Sequence, residues 1–346
     1  MSEATQRQAP SQRRTRRALI LLVAGAVALA AGVGAVWRDA RMGAVPEVSG
    51  PVLPGWAERA GEARMIEITG PDAVFLMERD GQGWSMPSRG GYPVRAERIA
   101  ELDAALAALR FEQAMTRDPD LFGRLGVDDP GQGGRGVRIA VLDGQGDRLA
   151  ELVAGDARDG GVYVRPAGAA RAYAASGSMP DLDDPGRWLG LDFMNIDPAR
   201  VAAAGTDPET GPSFTLEKTA PAARDFALTG PEGWRLITGG AGNGVAVAGA
   251  RVRFRDVRPS GEVSGPVVAR HVGRTFDGLD YAYAFRRDNG CIWAEIEVRA
   301  TDMDTAGEAR LIANASQGWV FEVSEDAYER MTRPLGAMAE RARDVD

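Results

Sequence analysis

The chain has 346 residues, 44% of them hydrophobic, with 41 basic and 49 acidic side chains, one histidine and one cysteine. The acidic balance argues against nucleic acid as a partner. One histidine excludes a multi-histidine zinc site and argues against a Ser-His-Asp triad, and one cysteine, Cys291, excludes an internal disulfide.

Residues 1–17 hold five arginines and one glutamate, leaving 36 basic and 48 acidic side chains to the remainder. Ala18–Trp37 is a run of 20 residues without a charge, preceded by Arg13, Arg14, Arg16 and Arg17. At about 1.5 Å per residue it makes a helix about 30 Å long, the thickness of a bilayer's hydrocarbon core. The run is longer than the apolar region of a secretory signal, which predicts a retained anchor. Arginine-rich flanks stay cytoplasmic. The pattern therefore predicts a single-pass protein of the inner (cell) membrane, with a cytoplasmic tail at 1–17, a transmembrane helix at 18–37 and an extracytoplasmic main domain. Ala24, Ala28 and Gly32 recur every four residues and form a candidate helix-packing stripe.

Residues 38–63 carry Pro and Gly with little periodicity and read as a linker. The first half then spans 64–205. Arg64-Met65-Ile66-Glu67-Ile68 alternates, Val74-Phe75-Leu76-Met77 follows a Gly-Pro-Asp turn, and Gly81-Gln82-Gly83-Trp84 leads into another strand. Between Arg95 and Phe111, Ile99, Leu102, Leu106 and Leu109 fall at helical spacing and predict an amphipathic helix. Val137–Leu142, Leu149–Val153 and Val162–Val164 read as strands, with Asp143-Gly144 as a hairpin turn. Asp181–Met194 reads as a short acidic helix or loop.

The second half, 206–335, echoes the first. Phe214-Thr215-Leu216-Glu217 resembles Met65-Ile66-Glu67-Ile68, and Pro231-Glu232-Gly233-Trp234 resembles Gly81-Gln82-Gly83-Trp84. Leu279–Phe285 alternates as Val137–Leu142 does. The glycine-rich stretch Gly239–Gly249 weakens the expected second helix. Gly318–Val323 reads as a last strand, followed by a helix capped by Ser324 with Glu325 and Asp326 in its first turn. Residues 336–346 read as a tail. The fold class expected is α+β: an N-terminal transmembrane helix, then a duplicated, mostly antiparallel β unit with one amphipathic helix per half.

These landmarks together resemble a bacterial family, the domain of unknown function four-three-four-zero. The matching features are the single N-terminal span, the I-x-I strand, the Gly-x-Trp turn and the helix ending in Leu-x-Phe. Thr275-Phe276-Asp277-Gly278-Leu279, the strand at Trp293 and the terminal Gly318–Val323 complete the pattern, which covers nearly all of residues 60–335. No catalytic residues come with the resemblance. It implies companionship with ABC-type export systems of the gliding-motility auxiliary kind.

Candidate chemistry is sparse. His271 lies between Arg270 and Val272 and reads as a surface or hydrogen-bonded residue, and Cys291, beside Ile292 and Trp293, as a buried structural thiol. The glycine clusters Gly131–Gly134 and Gly239–Gly244 lack the Gly-Lys-Ser/Thr element of a phosphate loop. Asp181, Asp183 and Asp184 lack the ligand alternation of a calcium loop. Asp277 and Asp280 offer paired carboxylates, although Asp277-Gly278 reads more simply as a hairpin turn. Trp84, Trp234, Trp293 and Trp319 serve either core packing or stacking. No residue is assigned as catalytic, cofactor-binding or metal-ligating, and no cofactor is expected. The expected function is a non-enzymatic, membrane-anchored accessory or scaffold of an envelope ABC-type transporter, with transporter subunits as partners. The alternatives are an extracytoplasmic binding module for glycan, lipid or peptide and, third, a hydrolase.

Overall fold

The structure, a computed structural model, describes residues 48–342. The expected anchor at 18–37 lies outside them, and among the described residues no helix is long and apolar enough to cross a membrane. The described chain is mostly antiparallel β with few helices, an α+β arrangement.

The first nine strands form one sheet: β1 (Met65–Thr69), β2 (Val74–Asp80), β3 (Gly83–Met86), β4 (Tyr92–Pro93), β5 (Arg110–Ala114), β6 (Val137–Leu142), β7 (Arg148–Arg158), β8 (Gly161–Pro166) and β9 (Tyr173–Ser176). Their order is 4-3-2-1-6-7-8-9-5. Next come β10 (Met194–Asn195), β11 (Val201–Asp207), β12 (Phe214–Glu217), β13 (Ala227–Gly230), β14 (Trp234–Leu236), β15 (Arg251–Val252) and β16 (Val257–Pro259). The chain closes with β17 (Val267–Thr275), β18 (Leu279–Asp288), β19 (Cys291–Ala300), β20 (Trp319–Val323) and β21 (Ala339–Arg341). Eight of these form a second sheet in the order 13-12-11-17-18-19-20-16, while β10 pairs with β15 and β14 with β21.

Without β4, the first order is 3-2-1-6-7-8-9-5, and the second repeats it strand for strand. The correspondence differs in register from the sequence expectation. Phe214–Glu217 takes the place of β2, not of Met65–Ile68. The place of β1 belongs to β11, whose Val-Ala-Ala-Ala-Gly core shows little hydrophobic alternation. The two Gly-x-Trp turns also differ, because Trp84 lies on β3 and Trp234 on β14, beyond the strand that matches β3. The expected boundary between 205 and 206 falls inside β11.

The helices are α1 (Trp56–Arg59), α2 (Ala96–Ala108), α3 (Asn243–Ala246), α4 (Ala306–Ser316) and α5 (Glu325–Met331). α2 starts where Arg95 is extended (φ −62°, ψ 121°) and ends where Leu109 turns extended again and is fully buried. Its apolar stripe packs Leu102 and Leu106 onto the sheet; burying a leucine of this kind contributes roughly 1.5–3 kcal/mol. The second half holds only the single turn α3 in the corresponding place. Glycines bring that segment close to the sheet: a Cβ on Gly242 would lie 2.8 Å from Leu216, and one on Gly249 2.7 Å from His271. The second amphipathic helix is instead α4, between β19 and β20.

One apolar core runs through both halves. The connector after β9 threads between them and buries Trp188, Leu189, Leu191, Met194 and Ile196. At the junction the Tyr92 ring packs edge-on against Trp319 and Phe321, its hydroxyl donates to the Ala315 carbonyl (3.2 Å), and Arg89 pairs with Asp256. Two outlying segments also join the folded body. Val52 and Trp56, within the expected linker, are buried, and so are Met338 and Ala339 within the expected tail.

Candidate functional site

The structure scatters the residues that the sequence marks for chemistry. His271 is fully buried on β17, in the inward register of Ala269 and Thr275. Thr206 Oγ1 donates to the Met331 carbonyl (3.3 Å) and lies 3.3 Å from His271 Nδ1. Nδ1 thus shares a small polar corner with the Thr206 hydroxyl and the Met331 carbonyl, and Nε2 is left without a partner. Burial drives the imidazole pKa down to about 4. The ring is a neutral core group, hemmed in by Gly249 and the tyrosines of β18.

Cys291 is half-buried at the start of β19, packed with Val263, Trp293 and Val320; burial and the Glu322 carboxylate push its thiol pKa up. Such a thiol stays protonated and unreactive. Asp277 lies in the β17–β18 turn. Burial pushes its carboxyl up, but hydrogen bonds from Thr275 and Arg200 outweigh that and hold it below the usual range. Asp280 is held separately by Arg274 (2.8 Å), so each carboxylate has its own arginine. Asp181, Asp183 and Asp184 are exposed, and Asp181 is raised by burial of its carboxyl and a hydrogen bond with Asp183. Among the described residues no group of histidine, cysteine or carboxylate side chains is arranged to hold a metal ion. The run Gly239–Gly249 packs against the second sheet, with Val245 and Ala246 buried beneath it.

The tryptophans divide. Trp56, Trp188 and Trp293 are buried, while Trp84, Trp234 and Trp319 are half-buried. Two of them meet in a cleft of about 530 Å³ between α2 and the first sheet. α2 supplies Ile99, Leu102 and Leu106, the strands supply Ile66 and Val141, Val94 follows from just beyond β4, and Trp56 and Trp84 complete the lining. Trp56 is fixed by its indole N–H donating to Asp103 Oδ1 (2.8 Å). Polar character is confined to Asp103, Gln82 and the exposed Arg79. Apolar walls with a few polar groups make a binding cleft of ordinary ligand size. Sequence reasoning found the stripe of α2 and Trp84 separately. It did not place Trp56 beside them, because Trp56 lies in a stretch without periodicity.

Residues 84–236 match the family described as Domain of unknown function (DUF4340). The match is narrower than the span of the sequence resemblance and runs from β3 across the junction to β14. No curated protein and no solved structure matches the chain.

Proposed function

We propose that this chain, whose residues 84–236 match the DUF4340 family, is a non-enzymatic, membrane-anchored accessory or scaffold of an envelope ABC-type transporter. The observation that carries the proposal is the charge-free run Ala18–Trp37 behind four arginines, a pattern that supports reading it as a tether for a domain of net acidic charge outside the cytoplasm. The domain is a duplicated unit whose halves share one core, an arrangement suited to holding a surface beside a partner. Companionship with an export system is what the family resemblance implies. Affinity purification of the full chain from membranes in mild detergent should recover transporter subunits at stoichiometric level. Their consistent absence, also after cross-linking in cells, would contradict the proposal.

An extracytoplasmic binding module is the second reading, favoured by the cleft under α2. Its walls fit an acyl chain or an apolar peptide side chain better than a sugar, which needs more hydrogen-bonding groups than Asp103, Gln82 and Arg79 supply.

A further inference from the structure

A second cleft, of about 710 Å³, opens where the two halves meet. Five guanidinium groups line it, those of Arg95, Arg98, Arg187, Arg253 and Arg255, against two carboxylates, Asp184 and Asp192. The excess of positive charge is unusual on a chain with a net charge of −8. Three separate pieces of chain supply it: the start of α2, the connector between the halves and the segment between β15 and β16.

Local structure explains the convergence. Phe254 is buried and its backbone N–H donates to the Leu191 carbonyl (3.0 Å), which ties the last segment to the connector. Alternation along that segment turns Arg253 and Arg255 outward on either side of Phe254. The connector is held to α2 in turn, because Arg95 N–H donates to the Trp188 carbonyl (2.8 Å). Arg95 pairs with Asp192, and Arg187 pairs with Asp181 and Asp184. Both carboxylates of the cleft are thus already engaged. Arg253 and Arg255 have no hydrogen bond or ion pair from their side chains among the described residues. Arg98 is committed through its terminal nitrogens, to the Glu101 carboxylate and the Asp181 carbonyl (2.9 Å), while its Nε is buried without a partner and its guanidinium lies over the Trp188 ring.

We propose that this junction cleft binds the phosphate group of a small anionic molecule. Guanidinium forks match tetrahedral oxyanions with paired N–H donors, and two uncommitted forks beside three committed ones form a cradle for a dianion. The volume exceeds what one phosphate fills, so the ligand class is a phosphate ester whose organic body takes up the rest of the cleft. The site spans the junction, and an occupant would bridge the two halves.

The test is titration calorimetry of the full chain, in neutral detergent, with inorganic pyrophosphate as the probe. The expected result is saturable binding to one site, weakened at least tenfold by the double substitution R253E/R255E and partly by R253Q/R255Q. Both arginines are exposed, so the fold should survive, and a thermal melt without the probe checks this. Arg270→Glu, at an exposed position on β17, should leave binding unchanged. Repeating the titration in phosphatidylcholine nanodiscs with and without phosphatidylglycerol separates two sources of the phosphate. A loss of apparent affinity with phosphatidylglycerol assigns it to a lipid headgroup, and an unchanged affinity assigns it to a soluble ester. Absence of saturable binding, or equal binding by R253E/R255E, would overturn the proposal.

Discussion

At the scale of single residues, His271 shows how a lone histidine can belong to a core. It is the only histidine, and burial lowers its pKa to about 4 against an ordinary value of 6.5. The unfolded chain therefore takes up this proton near pH 6.5, whereas the folded chain takes it up only near pH 4. Stability from this group is complete above pH 6.5 and is lost as the pH falls towards 4, by roughly 3 kcal/mol. The imidazole proton resonances should stay at their neutral positions down to about pH 5, and His271→Leu should remove this part of the acid sensitivity of the melting temperature. An imidazole titrating near pH 6.5 in the folded chain would show that the ring is solvated. The sequence left surface and hydrogen-bonded positions equally open for His271. Only the register of β17, which puts Ala269, His271 and Thr275 inward, decides between them. Gly273 shares that face because the ring of Tyr281 lies over it: a Cβ there would come within 2.1 Å of Tyr281 Cζ.

At the scale of elements, legibility follows the strength of the hydrophobic period. α2 and β18 carry large apolar side chains at their proper spacings, and both are plain in the sequence. The helix after Ser324 was equally plain, since Ser324 Oγ accepts from Ala327 N–H (3.2 Å) as an N-cap should. β11 escaped notice because alanine and glycine fill it. α4 escaped because Ile312 is its one large buried side chain while Leu311 faces solvent. The glycine run of α3 reads as weak helix for the same reason that it works: small residues let the backbone lie against Leu216 and His271. The cleft under α2 was half legible, since its helix stripe was visible and its Trp56 wall was not. If that cleft binds apolar ligands, Ala100→Trp, at an exposed position on its rim, should fill it. Saturable binding of a fluorescent apolar probe should then fall several-fold relative to the unaltered chain, and equal binding by both chains would show the cleft to be closed to ligands.

At the scale of the whole molecule, the sheets repeat one order and share one core. The repeat was visible in the sequence only in outline. Equivalent strands have diverged in length and composition, and the similar Gly-x-Trp turns attract alignment to strands that do not correspond. The junction, which holds the arginine cleft, was not legible at all, because its parts come from residues 95–98, 184–192 and 253–255 and only folding brings them together. Charge divides along the chain in the same way, with basic side chains prevailing before Ala18 and acidic ones after Trp37. An anchored accessory requires that this division coincide with the two sides of a membrane. A reporter enzyme that is active only outside the cytoplasm, fused after Asp346, tests that requirement directly. The account predicts full reporter activity in cells, and activity instead from a fused reporter that works only in the cytoplasm would contradict it.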